Sequence, residues 1–346
     1  MSERPAVDSL DEARLRAYLE AQLPGFRGPL RASKFQNGQS NPTFRLDTAE
    51  RSWVLRRQPP GKLLKSAHAV DREFRVMRAL AGSAVPVPRV HHLCEDREVI
   101  GSLFFVMEYC AGRVFQDAAL PELDRAARGE VYAEMGRVLA ALHGLDFAAL
   151  GLADFGRPGN YYARQLERWT VQYRDSETRR IPDMDALIDW LAAALPEDDG
   201  RAALVHGDYR LDNIMFHPSE QRAIAVLDWE LSTLGHPFAD LAYQCMQWRL
   251  PAGDRLLAGL QGLDRKALGI PSDAEYVAAY CEAMGIGPIR NWSFYLAFAF
   301  FRLAAIIQGV ARRALDGNAS NRNAAQLGAA VEPLAVMAMR LVEEES

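Results

Sequence analysis

Residues 206–213 read His-Gly-Asp-Tyr-Arg-Leu-Asp-Asn, and after a short polar stretch residues 223–230 read Ala-Ile-Ala-Val-Leu-Asp-Trp-Glu. The surrounding segments ALVHGD (203–208), NIMFH (213–217) and AIAVLD (223–228) read as short apolar strands separated by polar turns. Asp208 and Asn213 bracket one tight loop, and Asp228 arrives at the end of the following hairpin, so three polar groups can converge. Phosphoryl transfer needs a carboxylate near the attacking hydroxyl, together with oxygen ligands that hold magnesium on nucleotide phosphates. Asp208 suits the first role, and Asn213 and Asp228 suit the second. An aspartate at a turn and an asparagine closing it would explain each residue singly, but not the set.

Upstream of this island the chain is rich in strands. Ala32–Gln36, Thr43–Leu46 and Trp53–Arg57 read as an antiparallel meander, and Val87–Leu93 and Leu103–Tyr109 as two further strands. Between them His68–Leu80 places Val70, Phe74, Met77 and Leu80 at helical spacing, with Gly82 at its end. A first helix is expected from Ser9, three residues before Glu12 in a capping-box arrangement, to the stop at Pro24 and Gly25. Downstream, helical periodicity dominates: 124–145, 161–177 (with Asn160 as cap), 183–195, 238–248, 273–284, 292–315 and 324–343. The expected fold is therefore α+β, with a helical appendage (1–30), a small sheet-bearing lobe (31–110) and a large helical lobe (111–346).

Bulk properties exclude several functions. A net charge of -5 argues against a nucleic-acid partner, because such proteins carry a basic face that displaces counterions from phosphates. Cys94, Cys110, Cys245 and Cys281 form no CxxC pair and read as core thiols of a reducing compartment. The first ten residues carry Glu3 and Asp8 and no apolar run, so a cytoplasmic address is expected. The run Ser293–Ala311 is greasy, yet Arg302 and Gln308 interrupt it and Arg312 and Arg313 follow; a buried helix is expected, and no membrane.

The two quoted segments resemble the aminoglycoside phosphotransferase and choline kinase family, whose motif reads H-G-D-x-x-x-x-N followed by a hairpin and D-x-E. The resemblance extends over nearly the whole chain from Phe35 onward and implies a two-lobed, protein-kinase-like fold using ATP and Mg2+ to phosphorylate a small-molecule hydroxyl. By it, Asp208 is the catalytic carboxylate and Asn213 and Asp228 hold the metal. Phe35–Asn41 resembles the nucleotide loop, with Gly38 for a tight turn and Ser40 facing phosphate. Arg56, in Trp53–Arg56, stands where a lysine is usual on the phosphates, and Glu73 is its carboxylate partner. Phe105–Cys110 resembles the hinge, with backbone groups near Glu108 and Cys110 for adenine. His206 and Asp240 are implied as braces of the catalytic loop, and Glu230 as a residue facing the substrate.

Asp154-Phe155-Gly156 spells a magnesium-holding triplet of protein kinases, but it precedes Asp208, whereas the metal aspartate follows the catalytic loop; it is read as a loop. The run Phe294–Ser320 resembles one branch of the family, kinase-like modules that occur alone or fused to acyl-CoA dehydrogenases. That association points the acceptor toward a hydroxylated acyl compound or other metabolite. A nucleotide-binding pseudokinase acting through partners is the alternative, favoured by Arg56 and a loosely matching nucleotide loop.

Overall fold

Alternating burial along Thr43–Asp47, with Phe44 and Leu46 inside, gives one strand of a five-stranded antiparallel sheet in the computed structural model. The structure describes residues 10–35, 41–59, 68–253, 257–315 and 327–344. The chain forms two compact units, one comprising Met1–Arg113 and Met215–Ser232, the other Val114–Ile214 and Thr233–Ser346.

In the first unit the sheet has the order β1 (Arg31–Lys34), β2 (Thr43–Asp47), β3 (Ser52–Arg57), β5 (Phe104–Glu108), β4 (Val90–Cys94). Helix α1 (Glu12–Gln22) buries Leu15 and Leu19 in a core cluster with Phe44, Leu46, Trp53, Leu55, Phe104 and Val106. Each such leucine contributes about 1.5–3 kcal/mol. The apolar side of the helix thus belongs to the core of the first unit. Asp11 caps it, accepting from Arg14 N at 3.0 Å, while Glu12 accepts from Ala32 N at 2.7 Å. Ser9, the expected cap, lies outside the described residues.

Side chains alternate across a strand. Trp53 and Leu55 of β3 join the α1 core, so Val54 and Arg56 take the other face, where α2 (Val70–Leu80) lies. There Phe74 meets Phe105 edge-on at 6.1 Å, and Phe105 is the register partner of Arg56. A one-turn helix α3 (Arg97–Ile100) precedes β5, and β6 (Arg113–Val114) is the junction with the second unit. The hairpin of β8 (Ile214–Phe216) and β9 (Ala223–Val226) is closed by His217 N donating to Arg222 O at 2.8 Å. The Arg113 guanidinium secures its turn by donating to the carbonyls of His217 and Glu220. This hairpin belongs to the first unit, a placement that the linear division at residue 110 did not anticipate.

The second unit holds α4 (Arg125–His143), α5 (Tyr161–Ser176), α6 (Pro182–Ala193), α7 (Phe238–Trp248), α8 (Arg265–Leu268), α9 (Asp273–Met284), α10 (Trp292–Leu315) and α11 (Val331–Glu344). Strands β7 (Ala203–Val205) and β10 (Thr233–Gly235) pair antiparallel with Thr233 opposite Val205, which brings His206 and His236 to the strand ends. Helix α10 is apolar and long enough to span a membrane by composition, but it is largely buried, packed against α5, α6, α7 and α11. Its Gln308 donates to Ser176 O at 2.8 Å. Asn160 occupies the cap position of α5 in a left-handed conformation, φ 46°, yet its side chain makes no cap bond, and its backbone N donates to Asp198 instead.

Candidate active site

The residues expected to carry chemistry fall into two groups, one in each unit. In the second unit, β7 ends at His206 and the chain turns sharply at Gly207, φ 84°. Asp240, on the first turn of α7 and fully buried, fastens this turn: Oδ2 accepts from His206 N at 2.6 Å and Oδ1 from Gly207 N at 2.8 Å. His143 Nε2 lies 3.3 Å from the same carboxylate, and His143 Nδ1 lies 2.7 Å from the Tyr280 hydroxyl. Burial works against the Asp240 charge, but the hydrogen bond and charge of His143, the charge of His206 and the Gly207 amide together hold its carboxyl below the usual carboxylate range. His206 Nδ1 accepts from Asp208 N at 3.2 Å. Both residues thus support the loop backbone.

Beyond the turn, Asn213 closes a 3-10 turn (Leu211–Asn213) and donates its Nδ2 to the Asp208 backbone carbonyl and to Asp208 Oδ2, each at 2.9 Å. The donors of the asparagine are thereby committed to the loop, and its Oδ1 is the atom left to meet a cation. Arg210 forks onto both Asp212 oxygens within the loop. Tyr243, one α7 turn beyond Asp240, is buried beside Asp208; burial first and then the Asp208 charge and hydrogen bond raise its phenol above the ordinary range.

In the first unit, Arg56 Nε donates to Glu73 Oε2 at 2.8 Å, with both groups buried. Arg56 Nη2 also contacts Asp228 Oδ1 and lies 3.7 Å from Glu230 Oε2. One guanidinium thus faces three carboxylates. Burial, partly opposed by Arg56 and reinforced by the Asp228 and Glu230 charges, pushes the Glu73 carboxyl up to about 7. The same three carboxylates raise Arg56 further despite the burial that disfavours its charge. Asp228 follows β9 in the left-handed region, φ 64°, unusual for a residue with a side chain and a common mark of a functional position. Its side chain remains 35% exposed, whereas Glu73 is 2% exposed. Mg2+ takes carboxylate and amide oxygens, and the Asp228 carboxylate and Asn213 Oδ1 have that chemistry.

Glu230, expected to face substrate, accepts from Asn41 Nδ2 at 3.1 Å and so sits with the Arg56 group. Glu108 is tied to β4's approach: its N donates to Arg89 O at 2.9 Å and its carboxylate accepts from Arg89 N at 2.7 Å. The Glu108 amide is thus engaged within the sheet. The Cys110 thiol is pushed up to about 12 by burial and by Glu108. Gly38 and Ser40 lie outside the described residues, while Asn41 at the loop's end is fixed by Glu230 and His68. Asp154-Phe155-Gly156 is a turn of the second unit with Phe155 buried, and a Cβ at Gly156 would stand 2.6 Å from Leu234 N.

Three contributors escaped the sequence reading. Tyr243 and His143 lie in ordinary amphipathic helices and carry no local signal. Arg302 had one, being the single charge in the apolar run Ser293–Ala311, but its partners are distant in sequence.

A family model described as "Phosphotransferase enzyme family" matches residues 31–280. The chain is 50% identical over 318 residues to acyl-CoA dehydrogenase family member 10 of Mus musculus, covering 92% of this chain and 30% of that protein. It is 43% identical over 332 residues to family member 11 of Rattus norvegicus, covering 94% and 42%. The chain therefore spans less than half the length of these relatives. A crystal structure from Ralstonia eutropha that carries the name aminoglycoside phosphotransferase superposes with a TM-score of 0.88 at 47% identity, covering 97% of this chain and 99% of that one. A ternary complex of an aminoglycoside phosphotransferase with AMP-PNP and hygromycin B superposes with a TM-score of 0.60 at 18% identity, covering 95% and 97%, a likeness of fold.

Proposed function

Because the chain belongs to the phosphotransferase enzyme family and has its protein-kinase-like fold, we propose that it transfers the γ-phosphate of ATP to a hydroxyl of a small molecule. The observation that carries this reading is the Asp208 carboxylate, held by Asn213 on a turn whose backbone is fastened by Asp240. Asp208 orients the acceptor hydroxyl and accepts its proton as the oxygen bonds to phosphorus and the bond to the leaving ADP oxygen breaks. Asn213 and Asp228 are the magnesium ligands; the metal, when bound, neutralises phosphate charge. Arg56, steadied by Glu73, holds phosphate oxygens, and backbone groups near Glu108 and Cys110 meet adenine.

The acceptor class is a hydroxylated acyl compound or related metabolite. The supporting observation is that the relatives are named as acyl-CoA dehydrogenase family members. A nucleotide-binding module without transfer activity is the alternative, favoured by arginine at position 56. A screen for phosphate transfer from ATP to hydroxyacids, hydroxyacyl-CoAs, amino alcohols and aminoglycosides, run beside Asp208→Asn, separates them. Transfer that disappears with Asp208 supports the enzyme, and Mg-ATP binding without transfer or Asp208-dependent hydrolysis supports the binding module.

A further inference from the structure

Arg302 is a buried cation in the long apolar helix α10, and it touches the catalytic turn. Its Nη2 donates to the Gly207 carbonyl at 2.6 Å. The guanidinium lies near the rings of Trp169 and Tyr243, 5.7 and 5.5 Å from their centroids. Burying a charge is costly unless paired, and the aromatic faces and the carbonyl offset that cost only in part. An apolar side chain of similar length would fill this space with no charge to desolvate, at the expense only of the Gly207 carbonyl's donor. The charge is thus poorly explained by stability alone.

Its partner suggests the reason. The peptide unit joining Gly207 to Asp208 is held at both polar ends: Arg302 takes the Gly207 oxygen, and His206 Nδ1 accepts from the Asp208 N–H. Gly207 has φ 84°, a conformation that leaves this peptide without regular secondary-structure partners. A rotation of that plane would swing the Asp208 Cα–Cβ bond. Tyr243, buried one α7 turn beyond Asp240, lies against the same guanidinium. We infer that Arg302 is a positioning residue, one that fixes the Gly207–Asp208 peptide so that Asp208 points at the acceptor. The inference rests on the phosphotransfer reading for its kinetic consequence but not for the anchoring itself.

The test uses Arg302→Met and Arg302→Lys in the full chain, with Asp208→Asn as reference. Displacing a catalytic group by about 1 Å can cost up to about a hundredfold, so Arg302→Met should lower kcat for ATP turnover about tenfold or more, leave KM for ATP within about twofold, and keep a single cooperative urea transition, if an earlier one. Arg302→Lys, which keeps a donor and the charge, should recover at least a third of wild-type kcat, roughly. Hydrogen–deuterium exchange across residues 205–210 should speed up in Arg302→Met and much less in Arg302→Lys. Unchanged kcat in Arg302→Met, a loss confined to KM, or an equal loss in both variants would overturn the positioning role. If wild type itself shows no Asp208-dependent turnover, it is the phosphotransfer reading that fails. The exchange experiment then decides the anchoring alone, and identical exchange in all three proteins overturns it.

Discussion

The amide of Asn213 grips Asp208 twice, at its backbone carbonyl and at Oδ2, each at 2.9 Å. A carboxylate so held can steer a hydroxyl without reaching for the nucleotide. Asp208→Asn should therefore bind Mg-ATP almost as wild type does, while turnover falls about a hundredfold to ten-thousandfold. Slow ATP hydrolysis by water reports the loss before any acceptor is known. Wild-type rates in the variant would remove Asp208 from the chemistry.

Asp228 offers a partly exposed carboxylate in a crowded, negatively charged group. Its substitution by asparagine removes the negative charge a hard cation needs. Asp228→Asn should weaken nucleotide binding in the presence of magnesium more than in its absence, as titration calorimetry can measure. Asp154→Asn, in the upstream triplet, should leave Mg-ATP affinity unchanged; the reverse pattern would show that chain order misled the assignment.

Arg56 is the only cation among the described residues that links Glu73, Asp228 and Glu230. A charged hydrogen bond of about 1.5–3 kcal/mol to phosphate corresponds to about tenfold or more in ATP affinity. Arg56→Ala should raise the apparent ATP constant by that factor and also loosen the fold, since buried Glu73 loses its ion-pair partner. Arg56→Lys should keep much of the binding, because an ammonium can still serve as a point charge. Steady-state kinetics and urea unfolding read the two effects separately.

Asp240 makes the stability of the second unit sensitive to acid. Its carboxyl is held below the ordinary value of 3.8, so the unfolded chain takes up the proton first. The stabilisation is complete above that ordinary value and is lost as pH falls through the lower native one. Asp240→Asn should cost about 1.5–3 kcal/mol or more at neutral pH, the worth of a hydrogen bond to a charged group. Its gap from wild type should narrow below about pH 4. Urea midpoints at both pH values check it; a gap that stays constant would mean that the Asp240 charge is not what braces the loop.

Local sequence determined most elements because their signals are short-range. Alternation marked Thr43–Asp47, helical spacing marked α2, and both the start and the end of α7 and α9 fell where periodicity placed them. The loop His206–Asn213 was equally legible, since a turn, a carboxylate and a closing amide lie within eight residues. What the sequence could not carry was partnership across long separations. Nothing near Leu15 says that it joins Phe44 in one core cluster, and nothing near Arg302 says that its charge ends on Gly207, 95 residues away. Nothing near Glu230 says that Asn41, 189 residues upstream, donates to it. Apolar burial and buried charge pairing depend on what the whole chain brings alongside, so tertiary structure alone decided which polar groups brace the site and which remain available for chemistry.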